Sequence, residues 1–100
     1  MRISVSENPE IVTIKLEGRI NSTGLTEIDR AWKTVASDLN SRKLRIDLRG
    51  VTFVDSIAEK LFQEIYHQTG AEFQTSSLVT RYFVDRTVHG VNNFSKNQRQ

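Results

Sequence analysis

Hydrophobic residues divide this chain by their spacing. Ile3 and Val5 alternate with Arg2 and Ser4, the period of a short strand with one apolar face. Asn8-Pro9 follows as a turn signal. From Ile11 to Glu17, Val12, Ile14 and Leu16 fall on one side and Thr13, Lys15 and Glu17 on the other. This predicts a second strand, close enough to the first to form a hairpin. After a loop over 18–23 the period changes. Leu25, Ile28, Trp32, Val35 and Leu39 recur at steps of three and four, one stripe of an α-helix. Glu27 and Asp29 lie near its start, where the helix dipole favours acids. Asn40-Ser41 is expected to end it.

Alternation returns at 44–49, with Leu44, Ile46 and Leu48 set against Arg45, Asp47 and Arg49. Gly50 reads as a turn. A second helix is predicted from about Ser56 to His67, with Ala58, Leu61, Phe62 and Ile65 on one face and Gly70 placed to stop it. A weak strand over 71–75 and a last helix from Ser76 or Ser77, carrying Leu78, Val79, Tyr82 and Phe83, complete the order β-β-α-β-α-β-α. Helices between strands imply right-handed crossovers and parallel pairing. Parallel strands buried on both faces read as continuous apolar runs, and these strands alternate strictly. The expectation is therefore an α/β two-layer sandwich, a mixed sheet of about four strands with helices mainly on one face. Residues 1–88 form the expected single domain. Residues 89–100 are polar and read as a flexible tail.

Composition narrows the function classes. Of 100 residues, 37% are hydrophobic, and no apolar run approaches the about 20 residues of a membrane-spanning helix. Cysteine is absent, which removes disulfides, thiolate nucleophiles and zinc–cysteine sites. No apolar secretory stretch opens the chain, so the expected location is cytoplasmic. A net charge of +2 does not by itself argue for nucleic acid. Lys15, Lys43, Arg45 and Arg49 could form a basic patch on the open sheet face. Glu17 and Asp47 interleave with them and no aromatic residue lies there for base stacking, so a mixed, salt-bridged surface is expected and nucleic acid is not. Asp47 is read as a solvated charge pair. The chain has no P-loop, no Gly-x-Gly-x-x-Gly and no Gly-x-Ser-x-Gly. No enzyme activity and no cofactor are expected. His67 lies in the last turn of its helix without a second ligand at the following turn, which argues against a metal.

The informative segment is Asp47 to Ser56, a strand end, a short apolar loop and a hydroxyl at the start of a helix. Ser56-Ile57-Ala58-Glu59 fits a capping box, in which Ser56 accepts from the N–H of Glu59 and Glu59 reaches back. On local chemistry alone, Ser56 is a cap.

Residues 11–88 resemble a STAS domain, the fold shared by anti-sigma factor antagonists and the cytoplasmic tails of sulfate transporters. The resemblance rests on Leu16-Glu17-Gly18-Arg19-Ile20, on Leu44-Arg45-Ile46-Asp47-Leu48-Arg49-Gly50-Val51, on Phe53-Val54-Asp55-Ser56 and on Gly70. It implies a protein-binding regulatory module. The serine directly after the aspartate would be phosphorylated by a partner anti-sigma factor that is itself a serine kinase. Carried over, Ser56 is the phosphoacceptor, and Thr52, Phe53, Asp55, Ile57 and Glu59 are the partner-binding residues around it. The sequence departs from the family pattern just after Ser56. Ile57 stands for a small residue, Ala58 for a glycine, and Glu59 adds a negative charge. The alternative is a non-phosphorylated STAS adaptor subunit of a transporter or another multiprotein assembly.

Overall fold

The strands predicted from period-two alternation form one sheet. In the computed structural model, which describes residues 1–76 and 84–85, strand β1 is Arg2–Glu7 and β2 is Ile11–Ile20. Helix α1 is Leu25–Ala36, β3 is Lys43–Val54, α2 is Glu59–Thr69 and β4 is Glu72–Gln74. A 3₁₀ turn introduces each helix, Ser22–Gly24 before α1 and Ser56–Ala58 before α2. The sheet order is β1-β2-β3-β4. β1 and β2 are antiparallel; β3 lies parallel to both β2 and β4. The mixed four-stranded sheet of the sequence reading is therefore present.

The β1–β2 hairpin closes through Asn8. Its side-chain oxygen accepts from the N–H groups of Glu10 and Ile11, each at 2.8 Å, an Asx-turn that uses the short amide in place of a backbone acceptor.

The helices cover one face. Ile14, Leu16, Ile20, Leu44, Ile46 and Leu48 point into it and meet Ile28, Trp32, Ala58, Phe62 and Ile65. Each fully buried Leu, Ile or Phe contributes about 1.5–3 kcal/mol by leaving water. Trp32 is 3% exposed, and its indole N–H donates to Asp29 at 3.1 Å, which supplies the partner a buried indole requires. Phe73 of β4 packs edge-on against Phe62, ring centroids 6.0 Å apart. Val84 also packs against this core. The predicted last helix, with Leu78, Val79, Tyr82 and Phe83, and the polar 89–100 segment lie outside the described residues.

The opposite face carries Thr13, Lys15, Arg45, Asp47 and Arg49, as the alternation implied. Asp47 corrects one expectation. It is paired with Arg49 but is not solvated, being 4% exposed. Its carboxylate accepts from the Arg49 backbone N–H at 3.0 Å and from the guanidinium at 3.0 and 2.9 Å. Three charge-assisted bonds from a neighbour two residues away compensate its desolvation. Arg49 holds the Asp47 carboxyl below its ordinary value, first through the side-chain hydrogen bond. Arg45 pairs with Glu72 at 2.8 Å, so this face is salt-bridged, as expected of a mixed surface.

Gly50 is not a turn. β3 runs through it to Val54, and the register against β2 shifts between Lys15 and Glu17 and again between Gly18 and Arg19. At each shift β3 carries one more residue than β2, the count of a β-bulge. Each extra residue reverses the alternation, which is why period two fades after Arg49. Gly50 fits because the backbone passes close to Glu17; a Cβ there would lie 2.9 Å from Glu17 Cγ.

The helix ends are built differently from one another. α2 stops at Gly70, whose left-handed conformation (φ 67°) lets its N–H donate to Tyr66 O at 2.8 Å. This is the glycine terminator read from the sequence. α1 ends at Ala36, earlier than expected, although Leu39 still packs against the core. The apolar stripe therefore outlasts the helix, and Asn40 and Ser41 turn the chain through the left-handed region.

Candidate functional site

The site lies where β3 passes into α2. Val54 pairs with Ile20, and the Asp55 N–H donates to Ile20 O at 2.8 Å. This bond fixes the chain at the last rung of the sheet. Asp55 is extended (φ −74°, ψ 138°), and its carboxylate accepts from the Ile57 N–H at 3.1 Å. The Ala58 N–H donates to Asp55 O at 2.9 Å. Ala58 is fully buried, so the turn is anchored from below while its outer residues face solvent.

This geometry corrects the capping assignment. The cap is Asp55, not Ser56. An N-cap residue has extended backbone angles and precedes the first helical residue. Asp55 meets both conditions, whereas Ser56 already belongs to the 3₁₀ turn. The capping-box pattern is one residue out of step because it presumes an α-helical first turn. The Glu59 N–H donates instead to the backbone oxygen of Ser56. The Ser56 side chain is exposed and makes no hydrogen bond to the described residues.

The other residues singled out from the sequence separate by burial. Thr52, Phe53 and Ile57 are exposed, and Asp55 and Glu59 are half-buried. Phe53 at 38% and Ile57 at 56% are two of the four exposed large hydrophobic residues among those described. They flank Ser56 in the chain, one on the strand and one on the turn.

Sequence reasoning missed Arg19 as a member of this region. Its guanidinium lies over the Phe53 ring, 4.3 Å from the centroid, a cation–π contact. The pairing follows from the register Arg19↔Phe53, which holds only because β3 has two extra residues relative to β2. No local motif reports that offset. No group of three His, Cys, Asp or Glu residues able to hold a metal occurs among the described residues. No described helix is long and apolar enough to cross a membrane.

Known proteins share the fold. An anti-sigma factor antagonist from Mycobacterium paratuberculosis superposes with a TM-score of 0.74 at 21% identity, over 93% of this chain and 80% of that one. The anti-sigma factor antagonist SpoIIAA in its unphosphorylated form gives 0.53 at 14% identity, over 90% of this chain and 100% of that one. Mglu gives 0.60 at 18% identity over 74% of this chain, which spans 19% of Mglu. At these identities the likeness is one of fold. No curated protein sequence matches the chain. The STAS domain family model matches residues 2–80, and the chain belongs to that family.

Proposed function

We propose that this STAS domain is a protein-binding regulatory module of the anti-sigma factor antagonist type, switched by phosphorylation of Ser56. The observation that carries the reading is the division of labour at 55–56. Asp55 caps the turn, and the exposed Ser56 hydroxyl makes no hydrogen bond to the described residues. A serine needed as the cap could not be modified without loosening the helix start. This one can be.

A phosphate would add about −1.5 to −2 charges next to Asp55 and Glu59. The fold would survive the change, since Asp55 and Ala58 hold the turn. A partner seated on Thr52, Phe53 and Ile57 would meet concentrated negative charge, and docking would weaken by like-charge repulsion and desolvation. The partner of this reading is an anti-sigma factor with serine kinase activity, and the setting is the cytoplasm. The unphosphorylated chain binds it and the phosphorylated chain releases it.

The test is affinity capture from host lysate with wild-type, Ser56→Ala and Ser56→Glu baits, together with mass spectrometry of the phosphosite. The expected result is a kinase-type anti-sigma factor held by wild type and Ser56→Ala and lost with Ser56→Glu. Equal capture by all three baits, with no phosphate on Ser56, overturns the switch and leaves a constitutive adaptor.

A further inference from the structure

The two edges of the sheet are not equally protected. Among the described residues β4 is an edge of three residues, and short edges resist pairing with other chains. β1 is an edge of six residues in unbroken register with β2. It has no proline, no lysine and no bulge, and its charges lie only at its ends, Arg2 and Glu7. A regular edge without these devices offers unpaired backbone N–H and C=O groups to a further strand.

Beside this edge lies an open groove of about 610 Å³, lined by Ile3, Val5, Ala31 and Val35 with Glu27, Arg30 and Thr34 among them. Ile3 and Val5 pair with Leu16 and Ile14 and so belong to the helix-covered face. α1 does not reach far enough to cover Val5, which is 51% exposed. Glu27 and Arg30 lie one turn apart on α1, and neither has an ion-pair partner among the described residues.

We propose that β1 and the adjoining face of α1 form a self-association surface, on which a second copy of this chain pairs antiparallel through its own β1. A two-fold axis perpendicular to the sheet keeps each residue on its own face. Ser4 then lies on the axis, and Ile3 of each copy pairs with Val5 of the other on the helix-covered side. The same axis sets the two α1 helices antiparallel across the seam. One Glu27 and one Arg30 from each copy come to the shared rim, two acids and two bases. The surface is thus self-complementary in charge as well as in hydrogen bonding, which argues for a second copy over an unrelated partner. The Ser56 turn follows β3, two strands in from this edge, and lines no part of the groove.

Sedimentation velocity on the full chain, from micromolar to near-millimolar concentration, tests the proposal. Wild type should be a reversible dimer and Val5→Lys a monomer with an unchanged circular dichroism spectrum. Glu27→Arg and Arg30→Glu each place like charges at the rim and should raise the dissociation constant at least about tenfold. The double exchange Glu27→Arg/Arg30→Glu restores neutrality and should return it to within about threefold of wild type. A wild type that stays monomeric overturns the proposal and leaves the groove to an extended segment of another protein. A dimer indifferent to Val5→Lys, or a double exchange as weak as the single variants, overturns it too. Should Val5→Lys not fold, the charge series on exposed helix residues decides.

Discussion

Two strand-to-helix junctions of the same design stand side by side in this molecule. β2 ends at Ile20 and β3 at Val54, and these residues are paired across the sheet. Each strand is followed by an Asx residue, a serine and a 3₁₀ turn leading into a helix, Asn21-Ser22 in one case and Asp55-Ser56 in the other. The difference lies in what the cap holds and what the turn exposes. Asn21 accepts from both the backbone N–H and the hydroxyl of Thr23, at 3.2 and 2.6 Å. Its turn is polar and closed on itself. Asp55 accepts from the Ile57 N–H, and its turn presents Ile57 to solvent, with Phe53 exposed just before it. The shared part secures two helix starts. The unshared part is an apolar surface beside a hydroxyl that makes no hydrogen bond to the described residues, and the proposed partner contact rests on that difference.

Damage to the rung that both junctions share should have the largest effect. Ile20 is fully buried and its carbonyl accepts the bond that fixes Asp55. Ile20→Ala is expected to cost about 2–5 kcal/mol, read as a lower midpoint in urea denaturation. Both helices should lose amide protection together in hydrogen exchange. Loss confined to one helix would show that the junctions are not coupled through this rung.

Asp47 serves as a control, a carboxylate on β3 that belongs to neither junction. Asp47→Asn is expected to cost on the order of 1–3 kcal/mol at neutral pH, since it removes charge-assisted bonds to Arg49. Its pH dependence has a definite sign. The folded carboxyl titrates below the ordinary value of about 3.9, so on acidification the unfolded chain takes up the proton first. The stabilisation is complete above the ordinary value and disappears as pH falls through the lower, folded one. Denaturation curves across that window should show the loss in wild type and a smaller one in Asp47→Asn.

The caps come next. Asp55→Ala and Asn21→Ala should each cost about 1 kcal/mol. Ser56→Ala should lie within about 0.5 kcal/mol of wild type, the smallest effect of the series. A cost at Ser56 equal to that at Asp55 would return the capping role to the serine and weaken the case for a switch.

These contrasts also mark how far the sequence could be read. Alternation at Val12–Leu16 and at Leu44–Leu48 was legible because each strand has one apolar face over regular pleating. The α1 stripe and Gly70 were legible for equally local reasons. The continuation of β3 past Arg49 was not, because two extra residues invert the pattern in which a strand is recognised. Thr52 and Phe53, read as loop, are strand residues for that reason, and Arg19 joined the site only through the shifted register. The cap was read one position late, at Ser56 instead of Asp55, because a 3₁₀ first turn moves the cap by one position. The burial of Asp47 depended on how closely Arg49 folds back over it, which residue type alone does not report.

Trp32, the single tryptophan of the chain, has a practical consequence. Its indole is held among core side chains and bonded to Asp29, so its emission reports on the seating of α1 against the sheet. Unfolding should shift that emission to the red. Coincidence of this optical transition with the loss of far-ultraviolet ellipticity would establish that the domain unfolds as one unit. Chemistry confined to Ser56, on another element and facing solvent, should leave the fluorescence unchanged. The molecule therefore carries a built-in gauge that distinguishes modification of its surface from damage to its core.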